Sequence, residues 1–174
     1  ISWVMQHSPL QRDLFEIEGD AYLADALQSE RGVVLLHPHL ASMNLAGCLL
    51  DQLVQTAGRP FGYVYRAPRA ASGNNILLYI RQKLAPQAFW FDAHETKAMI
   101  RFLRAGGVLM VFPDHDLGAR RSVFANFCDV PTATCPAFAK LVQMTKANCL
   151  PVSMIKQGRR YQLKIEAPVL FEKD

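Results

Sequence analysis

The chain has 174 residues, of which 51% are hydrophobic and 20% charged, with a formal net charge of +4. That length suits one domain with a sizeable core; the longest apolar run, Val33 to Leu50, is broken by His37, His39, Ser42 and Asn44 and falls short of the roughly 20 apolar residues of a membrane span. No signal-peptide pattern opens the chain, the modest positive charge suits an anionic partner without requiring one, and Cys48, Cys128, Cys135 and Cys149 form no C-x-x-C pair, so they read as reduced thiols, mostly core fillers, and not as disulfides or zinc ligands.

Helix and strand signals alternate along the chain. Asp20 to Ser29 sets Tyr22, Leu23, Ala26 and Leu27 at helical spacing, with Gly32 as the stop. Val33–Leu36 reads as a short buried strand. After the loop around His39, a helix with Leu45, Leu49, Leu50 and Leu53 on one face runs to Gly58. Phe61–Tyr65 is the next strand, and Pro68 to Leu84 a further helix on Leu77, Ile80 and Leu84. Ala88–Phe91 is a strand. Asp92, with Glu95 three residues on, predicts a helix start of the capping-box kind, with Met99, Phe102 and Leu103 inward and Gly106–Gly107 as the end. Val108–Phe112 is the clearest buried strand, followed by a polar loop from Pro113 to about Thr134. Pro136 opens a helix with Phe138, Leu141 and Val142 inward, and Leu150–Ile155 and Tyr161–Ala167 form a final strand pair around Gly158. This pattern predicts an α/β fold: a single domain over residues 1–174 with a central, mostly parallel or mixed sheet flanked by helices. Ligands in such folds bind beyond the carboxyl ends of the strands, so the loops after Leu36, Tyr65 and Phe112 should converge on one site.

Those loops hold the unusual polar residues. Taken alone, His39 is best read as a hydrogen-bonded loop residue. Its place at a strand-to-helix junction adds a second reading: a neutral imidazole able to take a proton from a hydroxyl, beside a helix N-terminus with N–H groups to offer an anion. His37 has no further ligand at a convincing metal-binding spacing. Arg66 is either a solvated arginine or an anion clamp, since guanidinium holds phosphate or carboxylate bidentately. Asp114, Asp116, Arg120 and Arg121 make either a charged surface loop or part of a site. Nucleotide–sugar enzymes also hold a metal with D-x-D, but the rest of the chain does not support that, and Gly73–Asn75 matches neither nucleotide fingerprint.

In order along the chain, VVLLHPHLASMNLAG, VYRAPR and GGVLMVFPDHDLGARRSVFANFCDVPTAT resemble three blocks of the lysophospholipid acyltransferase superfamily, and specifically of the late acyltransferases of lipid A biosynthesis. Those blocks are a strand with H-x4-D or H-x4-E, a tyrosine–arginine before proline, and P-D-x-D-x-G leading to V-F-x-x-F and P-x-x-T. Leu150–Val152 and the strand Tyr161–Ala167 also fit, so the likeness runs from about Ile17 to Leu170. It implies acyl transfer from acyl carrier protein or coenzyme A to a hydroxyl of a lipid acceptor, with His39 as general base and Asn44 orienting its imidazole. Arg66 would bind a phosphate, and Asp114, Asp116, Arg120 and Arg121 would shape the acceptor site. No metal, cofactor or nucleic acid is implied, and the place of work would be the cytoplasmic face of the inner membrane, reached peripherally or by an anchor outside these residues.

Two departures bear on this expectation. Asn44 stands where the family has a carboxylate, and an amide cannot neutralise an imidazolium. In the serine-protease triad an Asp→Asn change of this kind costs roughly 10⁴ in turnover. Three explanations compete: Asp114 or Asp116 supplies the carboxylate, the transferred group is an aminoacyl one, or the chain is a degenerate relative that binds a lipid or partner without catalysing. The family's N-terminal membrane helix and C-terminal helices are also missing, so the chain is either the ordered part of a longer protein or a shortened relative.

Overall fold

A computed structural model of the chain describes residues 14–66, 79, 83, 85–114 and 122–171. In chain order its elements are β1 (Phe15–Glu18), α1 (Asp20–Gln28), β2 (Val33–Leu36), α2 (Met43–Thr56), β3 (Phe61–Tyr65), β4 (Phe89–Asp92) and α3 (Thr96–Arg104). Then follow β5 (Val108–Val111), β6 (Val123–Phe127), β7 (Val130–Thr134), α4 (Ala137–Thr145), β8 (Asn148–Gln157) and β9 (Arg160–Ile165). The sheet is seven-stranded, in the order β1-β9-β8-β2-β5-β3-β4. Strands β8, β2, β5, β3 and β4 are mutually parallel, while β9 pairs antiparallel to β8 and carries β1 parallel to itself. It is therefore a mixed, mostly parallel sheet.

Strand β2 lies between β8 and β5 and is covered on both faces, which is why it is apolar without alternation. Successive side chains serve opposite cores. Val33 and Leu35 join the cluster under α2 with Leu45, Leu50 and Phe61; Val34 joins the cluster under α3 and α4 with Met99, Leu103 and Leu141.

The amino ends of the strands are closed by hydrogen bonding. Helices α2 and α3 both stop at a glycine with positive φ, Gly58 at 73° and Gly106 at 86°. In each the two reciprocal bonds of a Schellman motif form: Gly58 N–H to Gln55 O and Arg59 N–H to Val54 O, then Gly106 N–H to Leu103 O and Gly107 N–H to Phe102 O. Arg59, just after the first of these stops, donates to the carbonyls of Leu27 (2.7 Å), Ser29 (2.8 Å), Arg31 (2.8 Å) and Gly106. One guanidinium thus ties the end of α1 to the end of α3.

The strand positions expected from the sequence lie within one or two residues of those found, with three differences. Asp92 N–H donates to Glu95 Oε2 and His94 N–H to Asp92 Oδ1, which closes a turn ahead of α3, because Asp92 is still the last residue of β4, and the helix begins at Thr96. The stretch expected as a polar loop to Thr134 contains a β-hairpin, β6–β7, whose two-residue turn Cys128–Asp129 has φ of 49° and 63°. Strand β1 was not anticipated; its four residues gain their place from pairing with β9, each 146 positions away, which no local pattern encodes. The helix expected from Pro68 to Leu84 lies mostly outside the described residues. Of the cysteines, Cys149 alone is core, with its thiol pushed up to about 11 by burial; Cys128 is exposed at the hairpin turn.

His37 continues β2 by one residue, its N–H donating to Val111 O at 3.0 Å. Its ring is fully buried, and Nδ1 donates to Pro38 O at 2.5 Å. Burial lowers its pKa below the ordinary 6.5, against the opposing effect of the Pro38 bond and the Asp114 charge.

Two predictions follow from these contacts. Arg59→Met should cost about 2–4 kcal/mol in urea unfolding, because four carbonyls lose a charged donor at once; an unchanged midpoint would refute this. Below pH 6.5 the unfolded chain takes up a proton that buried His37 resists, so stability present above that pH is lost as pH falls through the lowered value. His37→Leu should flatten that acid limb relative to the parent chain, and equal slopes would remove His37 from the effect.

Candidate active site

The carboxyl ends of β2, β3, β4 and β5 meet at one edge of the sheet. Because β2 and β5 pair with Leu36 opposite Val111, the loops that follow them leave side by side. The first carries His39 and the second Asp114, 75 residues apart in sequence. Asp114 receives two hydrogen bonds from the same residue: His39 N–H to Oδ2 at 2.7 Å and His39 Nδ1 to Oδ1 at 2.6 Å. The backbone bond fixes where the loop sits, and the ring bond fixes how the imidazole is turned. Partial burial alone would raise the Asp114 carboxyl, but the two bonds from His39 outweigh it and hold it below the ordinary carboxylate value. An ionised carboxylate only accepts, so Nδ1 of His39 carries the proton. The ring also rests against Phe112, with centroids 4.9 Å apart. Side-chain exposures of 31% for His39 and 40% for Asp114 leave the pair open to a substrate.

Asn44 lies in the first turn of α2 and is exposed. It lines the same cavity as His39, whose ring Nδ1 is hydrogen-bonded to Asp114, one of the two carboxylates the sequence offered as an alternative. The N-terminus of α2 carries no side-chain cap. Arg66, directly after β3, lines the cavity too. Asp116, Arg120 and Arg121 lie outside the described residues.

The cavity has a volume of about 400 Å³ and its walls are mainly apolar. It reaches down both faces of the sheet. On the α2 face its walls include Cys48, Tyr63, Trp90 and Phe112; on the other they include Val64, Met99, Phe138 and Leu141. Tyr63 and Trp90 are opposite one another on β3 and β4 and stack at 4.4 Å, 13° from parallel. Burial pushes the Cys48 thiol up, assisted by the charge of Asp51, so it stays a neutral wall residue. Met99, Phe138 and Leu141 were expected to face inward, but none of these wall residues was singled out for a site. The nearest thing to a signal was the aromatic density of FGYVY and FWFD, on strands at and beside the sheet edge. Among the described residues no helix is long and apolar enough to cross a membrane, and no three His, Cys, Asp or Glu side chains gather as metal ligands.

The family model for bacterial lipid A biosynthesis acyltransferases matches residues 2–174. The chain is 27% identical over 158 residues to the lipid A biosynthesis lauroyltransferase of Escherichia coli K12, covering 88% of the chain and 49% of that protein. It is 25% identical over 177 residues to a lipid A biosynthesis acyltransferase of Haemophilus influenzae, covering 98% of the chain and 53% of the relative. It is 24% identical over 157 residues to the lipid A biosynthesis myristoyltransferase of Escherichia coli K12, covering 86% and 45%. The chain therefore spans about half the length of the curated relatives it matches. On the strength of a family match over nearly all its residues, the chain belongs to the bacterial lipid A biosynthesis acyltransferases.

Proposed function

We propose that this chain carries the transfer centre of an enzyme that moves an acyl group from a phosphopantetheine thioester to a hydroxyl of a lipid A-type acceptor. The observation that carries the reading is the His39–Asp114 pair. With Nδ1 donating to Asp114, the nitrogen that accepts a proton is Nε2. It takes the proton of the acceptor hydroxyl, whose oxygen attacks the thioester carbonyl carbon. The carbon–sulfur bond then breaks, and the imidazolium returns the proton to the departing thiolate. Asp114 holds the ring and stabilises the imidazolium, the role that the carboxylate plays in the serine-protease triad. The uncapped first turn of α2 offers N–H groups to the tetrahedral oxyanion. Arg66 binds a phosphate of donor or acceptor, and Asp116, Arg120 and Arg121 extend the acceptor site. The apolar cavity takes the acyl chain.

The donor is acyl carrier protein or coenzyme A, which share the thioester. The reaction needs no metal or redox cofactor. A lipid acceptor implies work at a membrane surface, which we take to be the cytoplasmic face of the inner membrane. The Asp114 contact weighs against a purely binding role and removes the need for an aminoacyl substrate, since both were raised to account for Asn44.

Transfer from labelled acyl carrier protein and, separately, labelled coenzyme A to a lipid A precursor in mixed micelles tests the proposal. His39→Ala should abolish turnover with an unchanged circular dichroism spectrum; equal activity in variant and parent would overturn the role. Asp114→Asn should lower kcat by roughly 10³–10⁴ with little change in KM. Asn44→Asp should also slow the reaction at neutral pH, because a second carboxylate at the cavity competes with Asp114 for the ring N–H of His39. A faster Asn44→Asp variant would mean that Asp114 is not the operative partner.

A further inference from the structure

Among the described residues the β6–β7 hairpin pairs only with itself, as a two-stranded sheet apart from the main one. It also gathers four large, exposed apolar side chains on two short strands. Val123 is 54% exposed, Phe124 66%, Phe127 71% and Val130 60%. Strand alternation and the pairing of Phe127 with Val130 put Val123, Phe127 and Val130 on one face and Phe124 on the other. A protein partner docking on a two-stranded ribbon covers one face and leaves the other wet. A fluid apolar phase covers both at once.

The surroundings narrow the occupant further. In the sequence, Arg120 and Arg121 directly precede the hairpin, a basic pair beside an apolar one, which suits an interface with anionic headgroups. The hairpin also joins the two parts of the site. It follows the loop of Asp114, and it leads through Cys135 into α4, where Ala137, Phe138 and Leu141 line the cavity. A surface met by the hairpin therefore lies next to the cavity mouth. Asp129 at the turn limits depth, since a carboxylate is costly in hydrocarbon, so the hairpin settles in the headgroup layer with its aromatic sides in the acyl boundary.

We infer that the β6–β7 hairpin is the element by which this chain docks on an anionic phospholipid surface, seating its apolar sides in the bilayer interface and bringing the cavity to a lipid acceptor. The inference rests on the proposed use of such an acceptor.

The test uses the full chain and vesicles of phosphatidylethanolamine and phosphatidylglycerol in equal parts, with phosphatidylcholine vesicles for comparison. Co-sedimentation of the parent chain should be stronger on the anionic vesicles. The double variant Phe124→Ser, Phe127→Ser should bind them at least about tenfold more weakly, since two phenylalanines no longer leave water. Its transfer activity on micellar acceptor should be retained. Phe127→Trp should show a blue shift of its emission on adding anionic vesicles. Unchanged vesicle binding by the double variant, or a tryptophan that does not shift, overturns the inference. So does a concentration-dependent dimer of the parent that the double variant loses, or a double variant with a markedly lower melting temperature, because the hairpin would then be covered by a second copy or by the chain itself. If the parent transfers no acyl group in micelles yet binds vesicles through the hairpin, it is the proposed reaction that fails and not the docking element.

Discussion

The register of β2 against β5 is the constraint on which the site depends. Leu36 opposite Val111 brings the two following loops level, and only then can one carboxylate accept both the backbone N–H and the ring N–H of His39. A slip of one residue would turn Val33–Leu36 inside out across two different cores, so the packing that fixes the register fixes the geometry of the His39–Asp114 pair with it. Precision at the edge of the sheet is inherited from apolar packing at its centre.

The two ends of the sheet solve opposite problems. At the amino ends the chain satisfies itself: two glycine-terminated helices and one arginine account for the carbonyls of the turns there. At the carboxyl ends the polar groups stay accessible around an apolar cavity. A rigid end supports an open one, which is how an imidazole on a loop can be held to one orientation while remaining within reach of a substrate.

Much of the fold was legible in the chain. Val33–Leu36 and Phe61–Tyr65 were bounded by glycine, proline or polar neighbours and buried on both sides, so a continuous apolar run sufficed to place them. The glycine stops at Gly58 and after Arg104 were legible for the same local reason. What escaped had no run of buried residues to mark it. Strand β1 exists through its pairing with β9, and β6–β7 through its turn and cross-strand pairs, in residues whose exposure gives no burial pattern to detect. The candidate site was legible as a set of residues but not as a set of partners. His39, Arg66 and Asp114 could be named from their positions after strands, whereas the choice between Asn44 and Asp114 as the group that turns the imidazole depends on a distance, and periodicity carries no distances.

The link between His39 and Asp114 closes a loop of 75 residues that includes α2, β3, β4, α3 and β5. No fragment of the chain shorter than that loop contains both members of the pair. Closing so long a loop is entropically unfavourable until the strands between have found their neighbours, which puts assembly of the pair late in folding. A nascent or partly unfolded chain would therefore carry the imidazole without the carboxylate that turns it, and the pair would arrive together with the finished sheet.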